Sequence, residues 1–411
     1  MQLNATFEKL TLKSSFFKAT TIFLVFLLTL GWKVSWGQTN NYFGTSGTIS
    51  GNVWSTALNG PYTSAANTTG GWIMNFNNAG SLTWATPSVY PTRANFNASM
   101  TWTTGGTVGA ASTNFIIDVA NGVNIDPGGS QAFSNSATAG FTKNGGGSFA
   151  IVGNTYGGGF TLNAGTIIIR GVNGLGGNAT PGSLTINGGT IAANANRDLS
   201  GKYSGINIGG DFQLGSSSVG ISSGTANLTF SNNVALGNTT RSITLGGTGT
   251  YTFSGIISTT ASAGITLASG SANGTLLLSG ANTYSGNTTI NGGTLALSGS
   301  GSIANSPQII IGSGGNLRVS GLTTALTLAA SQSLRSSATG ANTTATLTVA
   351  TDKGLTMNAA TPGSIVFTAY GGANGNSSTN APLTIDAAAS GTGALVLNSA
   401  PVTVTTTTAL A

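Results

Sequence analysis

Residues 274–297 read GTLLLSGANTYSGNTTINGGTLAL, and the fold is decided in that stretch. Two short runs of alternating character, 275–278 and 288–290, flank a turn built from glycine, asparagine and serine. A second turn, Asn291-Gly292-Gly293, leads into 294–297. Strands this short, bounded by Asn-Gly turns, have too little apolar surface to hold a face alone. They become stable when coils of the same kind stack on one another, so the expected architecture is a repeat. The same grammar appears upstream, where 148–169 read SFAIVGNTYGGGFTLNAGTIII. There Gly153 matches Gly280, Thr155-Tyr156 matches Thr283-Tyr284, and Gly158 matches Gly286. Leu162 matches Ile290, and Gly165-Thr166-Ile167 matches Gly293-Thr294-Leu295, with one residue fewer before the Thr-Tyr pair.

Outward from these copies, apolar residues two apart recur from Asn114 onward. Among them are Ile167/Ile169, Leu184/Ile186, Ile243/Leu245, Leu276/Leu278, Ile309/Ile311 and, near the end, Leu395/Leu397. Period-two spacing puts both members of a pair on one face of a strand. Their separation suits two or three strands in coils of roughly 20–25 residues. Glycine is expected at positive φ in Asn187-Gly188-Gly189, Asn273-Gly274 and Asn291-Gly292-Gly293. Threonine, serine and asparagine at equivalent positions are expected to form side-chain ladders along the stack.

The order G-T-L-x-L-S-G-x-N-T-Y-S-G-x-T-x-I-x-x-G-T-L around Tyr284 resembles the autotransporter-associated β-strand repeat of secreted bacterial proteins. Its repeat-defining positions are Gly280, Tyr284, Gly286 and Gly293 in one copy, and Gly153, Tyr156, Gly158 and Gly165 in the other. The resemblance implies a right-handed parallel β-helix, an all-β solenoid, serving as a passenger or stalk outside a Gram-negative cell. It carries no catalytic residue to this chain. At the repeat tyrosines the ring is expected over the adjacent glycine turn, with the hydroxyl at the surface; an exposed pair would instead mark a ligand stripe.

Three regions are expected. Residues 1–37 read as a secretory leader: Lys9, Lys13 and Lys18 precede an apolar run at 22–30, and Ser35-Trp36-Gly37 offers a small-x-small cleavage site before Gln38. The apolar run is shorter than the ~20 residues of a membrane helix, so no integral membrane segment is expected after leader removal. Residues 38–110 hold Trp54, Trp72, Trp84 and Trp102. They read as an aromatic cap closing the solenoid, or alternatively as a platform that stacks on sugars. Residues 111–411 form the solenoid, with its best copies at 148–169 and 274–297. The chain stops in mid-pattern, in a run of threonines, and is expected to be a piece of a longer product.

Composition narrows the chemistry. Among 411 residues there is no Cys and no His, and charged residues make up 5%. Disulfides, Cys nucleophiles, Ser-His triads and His metal sites are therefore excluded. The leader holds four of the lysines and Glu8, so its removal halves the formal charge of +6 and leaves no glutamate. The remaining basic residues are scattered singly, which argues against a nucleic-acid partner. No glycine-rich loop leads into a helix, so no nucleotide cofactor is expected. Six aspartates remain: Asp118, Asp126, Asp198, Asp211, Asp352 and Asp386. The best constellation for an enzyme acting on acidic polysaccharide is Arg170, Arg197, Asp198, Lys202 and Asp211; solvated turn residues are the plainer reading. The expectation is a non-enzymatic secreted or cell-surface scaffold of adhesin type, with surface glycans or further copies of itself as partners. The alternative is a carbohydrate-binding or polysaccharide-degrading passenger.

Overall fold

The computed structural model describes residues 139–324, apart from 155–156, 177–180, 217–218, 271–272 and 313. Before that stretch it describes 40–43, 46–48, 54–55, 73–83, 92–103, 107–110, 114–126 and 132–135; after it come short strand segments out to 402–406. All of these lie in the unit Asn40–Ala411. The expected cleavage site at Gly37 and Gln38, and the repeat residue Tyr156, lie outside the described residues.

Every regular element among the described residues is a strand. None of them forms a helix long and apolar enough to cross a membrane, which leaves β-barrel spans unaddressed. The strands assemble into sheets of eleven, fourteen and eight strands, with two smaller sheets of three. Consecutive members of one coil fall on different sheets, as for Val234–Ala235 (first sheet), Arg241–Leu245 (second) and Thr250–Phe253 (third). Each then pairs in parallel with its counterpart one coil on, Ile257–Ser258, Ile265–Ala268 and Thr275–Leu278. The chain is therefore a parallel β-solenoid. Hydrogen bonds that bridge neighbouring coils here join residues 23 to 25 apart, within the spacing read from the sequence.

The number of faces changes along the stack. Between residues 141 and 193 each coil contributes to the first and second sheets only; the third begins at Arg197–Asp198. After Ile257–Ser258 the first sheet stops, and irregular segments at 280–286 and 302–306 occupy the next coils on that side. The Trp-rich stretch is laid out as coils too. Asn40–Phe43, Ile73–Phe76 and Arg93–Phe96 continue the first sheet in parallel, and Trp54–Ser55 closes its edge antiparallel. The side chains of its four tryptophans lie outside the described residues.

Period-two alternation builds the core directly. Phe115, Phe141, Phe160, Leu184, Ile206, Val234 and Ile257 sit in register on successive coils, all buried. Phe141 and Phe160 stack at 5.2 Å, and Phe230 and Phe253 at 4.9 Å in another column; such pairs add about 0.5–1.5 kcal/mol beyond burial. The expected ladder is present outside: Asn163 Nδ2 donates to Asn144 Oδ1 at 2.7 Å, and Asn187 Nδ2 to Asn163 Oδ1 at 2.8 Å. It ends at Gly209, where a Cβ would lie 2.1 Å from Asn187 Oδ1.

Candidate functional surfaces

Each copy of the repeat closes one coil. In the later copy, Thr275–Leu278 pairs with its own continuation, Thr275 opposite Thr294 and Leu278 opposite Leu297. In the earlier copy Ser148 lies opposite Thr166 and Ile151 opposite Ile169. The copies nevertheless start on different sheets: Thr275–Leu278 belongs to the third and Ser148–Asn154 to the second. Likewise Thr288–Ile290 lies in the second sheet and Phe160–Leu162 in the first. The motif therefore encodes a coil and leaves its rotational phase open.

The repeat glycines do two jobs. Gly165 and Gly293 adopt φ of 70° and 65°, the left-handed turn that leads into the closing strand. Gly280 and Gly286 instead allow backbones to touch: a Cβ would meet Gly255 O at 2.2 Å and the carbonyl carbon of Ala263 at 2.3 Å. Gly274, expected at positive φ, belongs to this second group, with Gly247 O 2.4 Å from where its Cβ would be.

Tyr284 departs from expectation. Its hydroxyl is inside the solenoid, where it shares a hydrogen bond of 2.6 Å with Thr288 Oγ1, which shares another of 2.6 Å with Ser306 Oγ. Gln332 Nε2 donates to the Ser306 carbonyl at 2.9 Å, so a buried polar chain links successive coils. Burial pushes the Tyr284 phenol up to about 12 despite the Thr288 and Ser306 hydroxyls, which act the other way. The surface-hydroxyl reading failed because 280–286 is an irregular arc with every second residue turned inward, Asn282, Tyr284 and Gly286 among them.

The candidate enzyme constellation divides between corners of the coil. Arg170, within the second-sheet strand Thr166–Asn173, pairs with Asp126 at 2.5 Å. The Arg197 guanidinium donates to the Arg170 carbonyl and, at 2.6 Å, to Asn194 Oδ1. Exposed Asp198 accepts from the Ser200 hydroxyl at 2.5 Å and the Ser200 N–H at 2.9 Å, and that turn holds its carboxyl below the usual range. Asp211 immediately precedes the second-sheet strand Phe212–Leu214 and accepts the Ser242 N–H of the next coil at 2.8 Å. Arg170 and Arg197 thus come together, while Asp198 and Asp211 serve a turn and an inter-coil link. Among the described residues no three His, Cys, Asp or Glu gather as a metal site requires.

Lys143 was not read from the sequence at all. It occupies an inward column between Ile117 and Leu162 and is fully buried. Its ammonium donates to the carbonyls of Asn144 (2.7 Å), Gly145 (2.8 Å) and Ala164 (3.2 Å) at a corner. Gly165 leaves room for it, since a Cβ there would come within 2.8 Å of Nζ. Desolvation lowers its pKa from 10.5 to about 8, partly offset by the Asp118 charge. The signal was the pattern Phe141-Thr142-Lys143, in which lysine takes the slot that leucine takes in Phe160-Thr161-Leu162.

Two stretches of this coil-closing geometry, 141–169 and 273–297, match the family model of the passenger-associated-transport-repeat. The chain is thus a repeat protein whose motif and parallel solenoid fit an autotransporter passenger. The first match begins at Phe141, so it takes in Lys143 as well as the expected Ser148–Ile169 copy. No curated protein and no solved structure matches the chain.

Proposed function

We propose that this chain is a non-enzymatic passenger of a Gram-negative bacterium, exported after loss of residues 1–37 and acting as an adhesin-like scaffold at the cell surface or in the medium. The observation that carries the proposal is the pair of passenger-associated repeats, each closing one coil of a parallel solenoid. A stack of sparsely charged coils grows along one axis and holds its outer positions at fixed spacing, which suits display over distance. Surface glycans and further copies of the chain are the partners this reading favours.

Glycan binding by the rod is a second reading, favoured by a groove of about 370 Å³ between neighbouring coils. The hydroxyls of Ser300, Ser302 and Thr323 rim it, and Leu322 and Leu326 lie at its base. The test combines protease shaving of intact cells with a glycan array and a turnover assay on uronic-acid polymers. Surface exposure without turnover supports the scaffold, and array binding adds the lectin-like reading. Turnover, or retention inside the cell, refutes the proposal.

A further inference from the structure

A stacked solenoid touches only its neighbours, coil by coil. Residues 219–224 break that rule. They follow the second-sheet strand Phe212–Leu214 in the sequence and lie over the outer face of that sheet. There Ala150, Ile168 and Ala192 stand in register on three successive coils. They point outward, since Ile167 and Ile169 belong to the core column, yet all three are buried. Val219 and Ile221 are the partly buried side chains packed against them. On later coils of this sheet Gln213, Thr244, Thr266 and Thr289 stand at outward positions, and the next buried apolar residue on this face is Ile310.

The fit is close. Gly220, at φ 54°, lies so near the sheet that a Cβ would be 3.1 Å from Ile168 Cδ1 and 3.8 Å from Ser148 Oγ. A tight turn holds the shape, with the Ser222 hydroxyl donating to Val219 O at 2.6 Å. The far end is tied on both sides: Ser223 N–H donates to Ala193 O at 2.8 Å, and Thr248 N–H of the following coil donates to Gly224 O at 2.6 Å.

We infer that residues 219–224 are a strap that fastens the coils of Ala150, Ile168 and Ala192 to those of Phe212 and Thr248, so that they open as one unit. Buried apolar contacts set which backbone segments open together, and here those contacts span coils that are not neighbours. Lifting the strap exposes three apolar side chains and uncouples the coils beneath.

Hydrogen exchange on the full chain tests this with Ile221→Asp, which puts a charge against the apolar patch. Amides of 148–151, 166–169 and 190–193 should exchange at least ten-fold faster, while 265–268 and 288–290 stay as in the parent. Exchange that accelerates only within 219–224, or equally along the whole rod, overturns the inference. The milder pair Val219→Ser and Ile221→Ser keeps the test decisive if the aspartate variant does not fold; unchanged exchange beneath the strap in that variant overturns it equally.

Discussion

The buried lysine makes a prediction whose sign is unusual. Lys143 holds its charge inside the solenoid with a pKa of about 8, against 10.5 ordinarily. That gap corresponds to roughly 3 kcal/mol of cost for the ammonium in the fold at neutral pH. Between about pH 8 and 10.5 the unfolded chain holds this proton more tightly than the folded one, so stability rises with pH. The cost is fully present below the folded value and vanishes above the unfolded one. From pH 8 to 9.5 the gain should be about 1.5 kcal/mol.

Lys143→Met removes the titrating group but keeps the length of the side chain. At pH 7 it relieves the cost of the buried charge and strands the carbonyls of Asn144, Gly145 and Ala164, each at about 1 kcal/mol or more. The two effects are similar in size, so the stability difference at one pH decides nothing. The slope does. Urea unfolding followed by circular dichroism at pH 8 and 9.5 should show the parent stabilised and the methionine variant flat. The window stops short of the buried tyrosines, whose phenols are pushed upward by burial and which weaken the fold only as pH passes their ordinary value near 10. A flat parent, or a slope that survives in Lys143→Met, refutes the assignment of a charged lysine to the core.

Two further outcomes follow from the repeat coil. Leu295→Asp places a charge in a fully buried column and should cost several kcal/mol or abolish folding, read as lost β-signal and protease resistance. Tyr284→Phe removes one end of the buried hydroxyl chain and should cost about 1 kcal/mol in urea unfolding; no measurable loss would mean that the hydroxyl faces water.

In-and-out alternation was legible because it depends only on neighbours in the chain. Leu184/Ile186, Ile243/Leu245 and Leu276/Leu278 are buried pairs as their spacing implied. The asparagine ladder followed from the same register. What the spacing did not contain was the partner across the coil boundary. Tyr284 finds Thr288 within its own coil but reaches Ser306 only through the next one, so the direction of its hydroxyl depends on residues outside the motif. Lys143 was hidden for a related reason: a lysine in a strand reads as an outward residue until the corner carbonyls above it are known. Val219 and Ile221 sit in a segment without periodicity, where nothing local announces the apolar column beneath them.

Phase is the deeper consequence of this division between local and stacked information. One turn-and-strand grammar opens from the second sheet in 148–169 and from the third in 274–297. Both copies nevertheless end by pairing with their own first strand. All that a coil must satisfy locally is an inward apolar pair on each strand, a positive φ before closure, and glycines where backbones touch. Those demands are met from any side of the rod. Where a coil begins is set by the coil it lands on: the hydroxyls, carbonyls and glycines of the preceding turn accept one registration and clash with others. Gly286 against Ala263 and Gly280 against Gly255 show how little clearance there is. A chain built this way can vary the number of strands per coil, as this one does at residue 197 and again after 258, without interrupting the core column.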